Sequence, residues 1–152
     1  MYFISVAGFM LLFPLLSIGY DWAANNVPFT IALLAKWYVF WAVGVRLCFA
    51  GVKQISQPRY TAEKILGLTS EDVIVVVREL GFANFSIGTV GLATIHFTDW
   101  TMAVCLVGGL FYGLAGINHV GHPQRNALQN VAMISDLFAS LVLLGCFISI
   151  VF

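Results

Sequence analysis

Five long apolar stretches, separated by short polar segments, constrain this chain more than any other feature. A helix rises about 1.5 Å per residue and the hydrocarbon core of a bilayer is about 30 Å thick, so one helical crossing needs about 20 mostly apolar residues. The stretches that meet this requirement are Met1–Tyr20, Ile31–Val52, Val73–Ile95, Trp100–Ile117 and Ala127–Val151. We therefore predict a single integral membrane domain over residues 1–152.

Helices are the only spanning elements that this pattern allows. Backbone amides in lipid must be bonded within their own element, which leaves helices or a closed barrel, and barrel strands alternate polar with apolar residues. The apolar runs show no such alternation, and charged residues make up 9% of the chain, against about 25% in a soluble domain. The predicted fold is an all-α, polytopic transmembrane helical bundle with five spans: a four-helix core plus an N-terminal helix.

The longest connection between spans, residues 53–72, has its own pattern. Pro58 ends the second helix, Thr61 is positioned to cap a short amphipathic piece, and Gly67 ends that piece. We expect a short helix that lies at the membrane surface here.

The distribution of Lys and Arg predicts an orientation, because positively charged loops stay in the cytoplasm. One side of the predicted bundle carries Lys53, Arg59, Lys64 and Arg125, whereas the other carries Lys36. The N-terminus and residues 53–72 are thus predicted to be cytoplasmic and the C-terminus to lie outside.

Ionisable residues inside the spans are informative because each costs several kcal/mol unless it faces protein or water. In this chain every Asp, Glu and Arg inside a span falls in the cytoplasmic half, where Arg46 and Arg78 are available to Glu79 and Asp136. Two interpretations stay open: an ion-pair network that fixes helix packing, or a pocket for the head group of a lipid, a quinone or an anionic small molecule. The residues of this predicted polar cluster are Arg46, Arg78, Glu79, Asn84, Asn118, His119, Asn130 and Asp136.

The histidines and cysteines do not form a recognisable metal or redox motif. His119 and His122 are three residues apart, but Gly121 and Pro123 place them in a turn, and no third ligand is near in the sequence. We interpret them as a loop-capping pair and predict no metal and no resident cofactor. Each cysteine lies alone in its span, without CxxC spacing, as a packing residue would: Cys48, Cys105 and Cys146.

Glycines mark where helices approach one another. Gly109 and Gly113 form a GxxxG motif in the fourth span, and Gly81, Gly88 and Gly91 form a stripe along the third. Small residues let helix backbones come close in a membrane. We expect the third and fourth spans to be in close contact.

Three short motifs carry a resemblance to known proteins: Arg46–Lys53 (RLCFAGVK), Arg78–Asn84 (RELGFAN) and Phe111–His119 (FYGLAGINH). Residues 31–152 resemble the DoxX-like group of small bacterial four-helix membrane proteins, and the run from Lys36 through RELGFAN is similar to an uncharacterised family of short bacterial integral membrane proteins. The resemblance implies the bacterial cytoplasmic (inner) membrane, a subunit associated with oxidoreductases, some of them quinone-linked, and Arg46, Arg78 and Asn84 as pocket residues. The extra N-terminal span departs from the DoxX-like pattern.

Three functional interpretations follow. The first is a non-catalytic accessory subunit or a binder of a lipid or quinone, since the sequence has no recognisable nucleophile or cofactor motif. The second is a membrane oxidoreductase component in which Glu79 or Asp136 handles protons for a quinone. The third is a small oligomeric transporter or channel.

The expected partners are the bilayer and either another membrane subunit or a second copy. Seven Lys and Arg balance seven Asp and Glu. Because a nucleic-acid binder needs a basic face, this balance excludes nucleic acid.

Overall fold

The computed structural model describes residues 2–121 and 124–152, with the backbone alone of Tyr2. Within these ranges five helices are long and apolar enough to cross a membrane, and a short helix, α3, joins the second to the third of them. Their bounds are α1 Phe3–Ala23, α2 Ile31–Ser56, α3 Tyr60–Leu66, α4 Glu71–Ala93, α5 Thr98–Val120 and α6 Ala127–Val151. The predicted all-α bundle with five spans is confirmed, and the chain is a multi-pass membrane protein.

The helix ends follow local sequence signals. Thr30 precedes α2 and accepts a hydrogen bond from the Leu33 amide, and Asn126 opens α6 with a reciprocal capping box that includes Gln129. Gly67 ends α3 with φ at 72°, a left-handed conformation that costs glycine little. Local capping residues thus fix the starts of α2 and α6 and the end of α3.

Helix α2 continues to Ser56, beyond its predicted end at Val52. The added turn keeps Gln54 buried against α4. The residue that precedes Pro58 then leaves the helical region, as steric conflict with a proline ring favours.

The glycine stripe of α4 packs against α2 and not mainly against α5, so the predicted pairing of the third and fourth spans is wrong. A Cβ atom added to Gly88 would lie 2.5 Å from the Cys48 backbone nitrogen, and one added to Gly91 would lie 2.7 Å from that of Gly44. Glycine shows that a backbone approaches closely, but it carries no information about which helix approaches. Here Gly44 and Gly51 of α2 provide the matching surface.

Helices α5 and α6 form the second close pair. Gly109 and Gly116 of α5 leave room for Leu144 and Leu137 of α6. Ser140 adds a hydrogen bond of 2.8 Å to the Gly109 carbonyl. The bundle core therefore consists of two tightly packed helix pairs.

Helix α1 packs on the outside of this core. Its Phe13 ring lies 5.0 Å from that of Trp41, whose indole Nε1 donates to Ser17 at 2.9 Å. Many large apolar side chains remain exposed on the bundle surface, including Ile4 at 78% and Leu141 at 76%. In water such a surface would be unstable, so it is the surface that contacts lipid.

Candidate functional site

A cavity of about 600 Å³ lies at the end of the bundle that carries the connection 57–70, which we call the loop end. This volume falls in the range of about 300–1,000 Å³ that is usual for small-molecule sites. Apolar side chains such as Val6, Leu47 and Phe111 supply much of the wall. The buried or half-buried polar side chains that face the cavity include Arg46, Gln54, Asn84, Tyr112, His119 and Asp136.

An ion pair between α2 and α6 forms part of the cavity wall. Arg46 Nη2 lies 2.9 Å from Asp136 Oδ1, and the two side chains are 13% and 9% exposed. The same nitrogen lies 3.4 Å from Ser135 Oγ, and the guanidinium sits 5.0 Å from the centre of the Tyr112 ring. Each charge therefore has its counter-charge in place before anything enters the cavity.

A widened helical segment positions Arg46 and Tyr112. Residues Val39–Val45 of α2 form a π-helix, and Arg46 is the residue that follows it. The Tyr112 hydroxyl donates to the Ala42 carbonyl inside this segment. π-Helical turns are rare and occur frequently at functional sites, and this one directly precedes the arginine that pairs with Asp136 of α6.

A second polar pair joins α2 and α4. Asn84 Nδ2 donates to Gln54 Oε1 at 2.7 Å, and both residues are buried. Asn84 Oδ1 is also buried but has no hydrogen-bond partner among the described residues, and the same is true of His119 Nδ1. Buried polar atoms in proteins are nearly always hydrogen-bonded, so these two cavity-lining residues have capacity left for a bound molecule.

The cavity reaches the bundle surface. Three apolar lining residues that lie within spans are exposed: Phe49, Val52 and Leu80. On the rim beside them Lys53 Nζ sits 3.9 Å from the centre of the Tyr60 ring. The opening thus combines an apolar edge, which faces lipid, with one cation.

Half of the predicted polar cluster meets at this cavity. Arg46, Asn84, His119 and Asp136 line it. The other four do not line the cavity. Asn130 accepts a hydrogen bond of 3.0 Å from Arg125. The remaining three are exposed: Arg78, Glu79 and Asn118.

The polar residues that line the cavity but were not predicted from the sequence include Gln54 and Tyr112. Gln54 lies beyond the predicted end of its span, so it was not counted among the polar residues in the membrane. Tyr112 lies inside an apolar run, where an aromatic ring is usually interpreted as part of the helix packing. Its hydroxyl is the signal that was available, since a buried tyrosine hydroxyl usually needs a partner.

Arg125 caps carbonyl groups at the C-terminal end of α5. Arg125 Nη1 donates to the carbonyls of His119 and Val120, each at 3.0 Å. His122 lies outside the described residues, so the predicted histidine pair stays a prediction. Across residues 2–121 and 124–152 no group of three or more His, Cys, Asp or Glu is placed to hold a metal ion.

A second polar cluster lies at the opposite end of the bundle, away from the cavity. Asp21 Oδ2 accepts from Lys36 Nζ and from Trp37 Nε1, both at 2.9 Å, and Oδ1 accepts from Asn25 at 2.8 Å. Both carboxylate oxygens are thus bonded, and they tie α1 to α2. This arrangement is structural.

Comparison with known proteins matches most of the chain to a protein family. The model of a family of unknown function, DUF6790, matches residues 1–150. No curated protein and no solved structure matches the chain. The resemblance to DoxX-like proteins stays a prediction.

Proposed function

We propose that this chain, which belongs to the DUF6790 family, is a non-catalytic integral membrane protein that binds a lipid-like or quinone-like molecule in its cavity. The observation that carries the proposal is the combination of an apolar opening with buried polar atoms inside. A ligand that suits both has a polar head and an apolar tail. The tail stays among lipid-facing side chains such as Phe49 and Val52, and the head reaches Asn84 and His119.

We further propose that the loop end faces the cytoplasm, so that the ligand comes from the inner leaflet of a bacterial inner membrane. The basic residues of that end support this orientation. One of them, Arg59, is exposed and donates to both carboxylate oxygens of Glu71 at 2.6 and 2.7 Å, which raises the pKa of the guanidinium. Like other arginines it keeps its charge at every physiological pH.

An alternative is a quinone-linked oxidoreductase component. Of the two carboxylates considered for proton handling, Asp136 lines the cavity and Glu79 is exposed on α4 outside it. In this alternative, Asp136 is therefore the residue that handles protons for the quinone. Redox-active material bound to the purified protein would favour this function over simple binding.

We also propose that α4 contacts a second copy or another membrane subunit. Arg78 and Glu79 are adjacent, opposite in charge and exposed, and neither has an ion-pair partner among the described residues. Arg78 of one chain and Glu79 of another are complementary across a two-fold axis.

Retention of a small amphipathic molecule during purification tests the binding function. We suggest extracting the protein in a mild detergent and identifying bound molecules by native mass spectrometry and by solvent extraction. Replacement of Ala50, which lines the cavity, by Phe fills the space, whereas Ala83→Phe adds the same bulk at an exposed position of α4 outside the cavity. Wild type and Ala83→Phe should retain the molecule, and Ala50→Phe should lose most of it.

Equal retention by both phenylalanine variants would show that the molecule binds elsewhere. Absence of any retained molecule from wild type, with no binding when lipids and quinones are added back, would contradict the proposal.

A further inference from the structure

We infer that the polar head of the ligand is an uncharged hydroxyl group, as in a diacylglycerol-type lipid or a quinol, and not an anion such as a phosphate. This inference rests on the proposed binding function and specifies its ligand. It draws on two independent features of the cavity: the balance of its charges and the hydrogen-bonding capacity that is left over.

In the buried part of the cavity wall, the positive and negative charges already balance. Arg46 is the buried cation, and it is paired with Asp136 at 2.9 Å. An anionic head beside Arg46 would either repel the Asp136 carboxylate or displace it and leave it buried without its counter-charge, and both outcomes are costly in a low-dielectric site. A neutral head meets neither penalty.

The other lining cation, Lys53, does not alter this balance inside the cavity. Its side chain is exposed at the rim, with Nζ over the Tyr60 ring. Contacts between exposed charges are weakened by solvent. Lys53 therefore discriminates little between a neutral and an anionic head that lies deeper.

The leftover hydrogen-bonding capacity calls for a donor. Asn84 is 4% exposed, its Nδ2 donates to Gln54, and this bond leaves Oδ1 as the atom without a partner. An amide oxygen accepts hydrogen bonds but cannot donate them. A hydroxyl supplies the missing proton, whereas a fully ionised phosphate or a quinone carbonyl has none to give.

The neighbouring imidazole suits the same group. His119 Nδ1 is buried without a partner among the described residues. A neutral imidazole nitrogen either donates or accepts, according to its tautomer, and a hydroxyl does both. A hydroxyl-bearing head is therefore compatible with either tautomer.

Matched ligands separate the two head-group classes. We suggest titrating the purified chain, in detergent and monitored by native mass spectrometry, with dioleoylglycerol, with dioleoyl phosphatidic acid and with the methyl ether of dioleoylglycerol. All three carry the same tails. The head is a free hydroxyl in dioleoylglycerol, a phosphate in phosphatidic acid and a methylated hydroxyl in the ether. Dioleoylglycerol should bind at least tenfold more tightly than either of the others. Ubiquinol and ubiquinone form a second pair, in which the quinol should bind at least tenfold more tightly if the natural ligand is a quinol.

A pair of variants tests the role of Asn84. Asn84→Leu has a similar volume but no acceptor, and it should weaken binding of the preferred hydroxyl ligand about tenfold, or about 1.4 kcal/mol. Ser86→Ala is the control, because Ser86 is exposed on the same helix and its hydroxyl bonds to the Phe82 carbonyl. The ligand series on wild type gives the answer independently if Asn84→Leu fails to fold.

The outcomes distinguish this inference from the proposed function. Phosphatidic acid or the capped ether binding as tightly as dioleoylglycerol, with no preference for quinol over quinone, would overturn the hydroxyl assignment and leave lipid binding intact. No binding of any of the five ligands, together with no molecule retained on purification, would overturn the proposed function itself.

Discussion

Arg46 and Asp136 are 90 positions apart in the sequence, yet they form the most buried ion pair among the described residues. Neither charge is stable alone in this setting, because moving a charge out of water costs several kcal/mol. The pair therefore links the fold to the cavity: the contact that holds α2 to α6 also sets the electrostatics of the wall.

A double-mutant cycle on this pair measures its contribution to stability. Asp136→Asn and Arg46→Gln should each lower the free energy of unfolding by about 3–5 kcal/mol, because each leaves the other charge buried without its partner. The double variant should lose less than the sum of the two, since it buries no charge. Thermal or denaturant unfolding in detergent provides the measurement, and additive losses would show that the two charges do not interact.

The need of Arg46 and Asp136 for an opposite charge was predictable at this scale, because a charge inside a span is costly unless it faces protein or water. The sequence left both Arg46 and Arg78 available to Glu79 and Asp136, so it did not predict which of them pair. The positions of Arg78 and Glu79 were not predictable either, since their depth in the sequence resembles that of Arg46 but α4 turns them away from the core. Residue type and depth predict that a charge needs a partner. The rotation of the helix decides whether the partner is inside the molecule.

At the scale of elements, close approach of backbones defines the two helix pairs. Gly88 of α4 and Gly44 and Cys48 of α2 lie within van der Waals distance of one another, with no room for an added methyl group. In a membrane such packing replaces the hydrophobic effect as the main force between helices. The glycines are therefore structural.

Alanine substitutions at a packed glycine and at an unpacked glycine should affect the free energy of unfolding in different ways. Gly88→Ala places a Cβ atom 2.5 Å from a backbone nitrogen and should destabilise the protein by about 1–3 kcal/mol. Gly145→Ala in α6 meets nothing within 4 Å and should be neutral or stabilise by up to about 1 kcal/mol. Unfolding of both variants in the same detergent checks this, and equal effects would mean that the α2–α4 contact is looser than described.

The helices were predictable because apolar runs of this length have few alternatives, but their internal geometry was not. The π-helical segments Gly8–Leu12 and Val39–Val45 lie within unbroken apolar sequence and carry no proline. They arise from how the helices pack, which a single chain's hydropathy does not encode. Arg46, which contacts Asp136 of α6, directly follows the second of them.

At the scale of the whole molecule, the two ends of the bundle differ in chemistry. The loop end holds the cavity, and the opposite end holds the closed cluster around Asp21. Among the residues that the structure describes, the buried side-chain polar atoms without a hydrogen-bond partner are Asn84 Oδ1 and His119 Nδ1, and both residues line the cavity at the loop end.

Cysteine labelling in intact cells tests which side of the membrane the loop end faces. In a background with Cys48, Cys105 and Cys146 replaced by alanine, Ser70→Cys marks the loop end and Thr98→Cys marks the opposite end, and both positions are exposed. A membrane-impermeant maleimide should label Thr98→Cys and not Ser70→Cys, because the basic end is predicted to be cytoplasmic. Labelling of Ser70→Cys without permeabilisation would reverse the orientation.

Under the proposed binding function, the apolar edge of the opening, formed by Phe49, Val52 and Leu80, determines how ligands would compete. A molecule that enters from the bilayer never passes through water, so its tail gains little by binding: it exchanges one hydrocarbon environment for another. Occupancy then depends on the mole fraction of the ligand in one leaflet, where confinement makes the effective concentration high. Selectivity rests on the head group, and the protein is expected to sort lipids by their heads while accepting tails of many lengths.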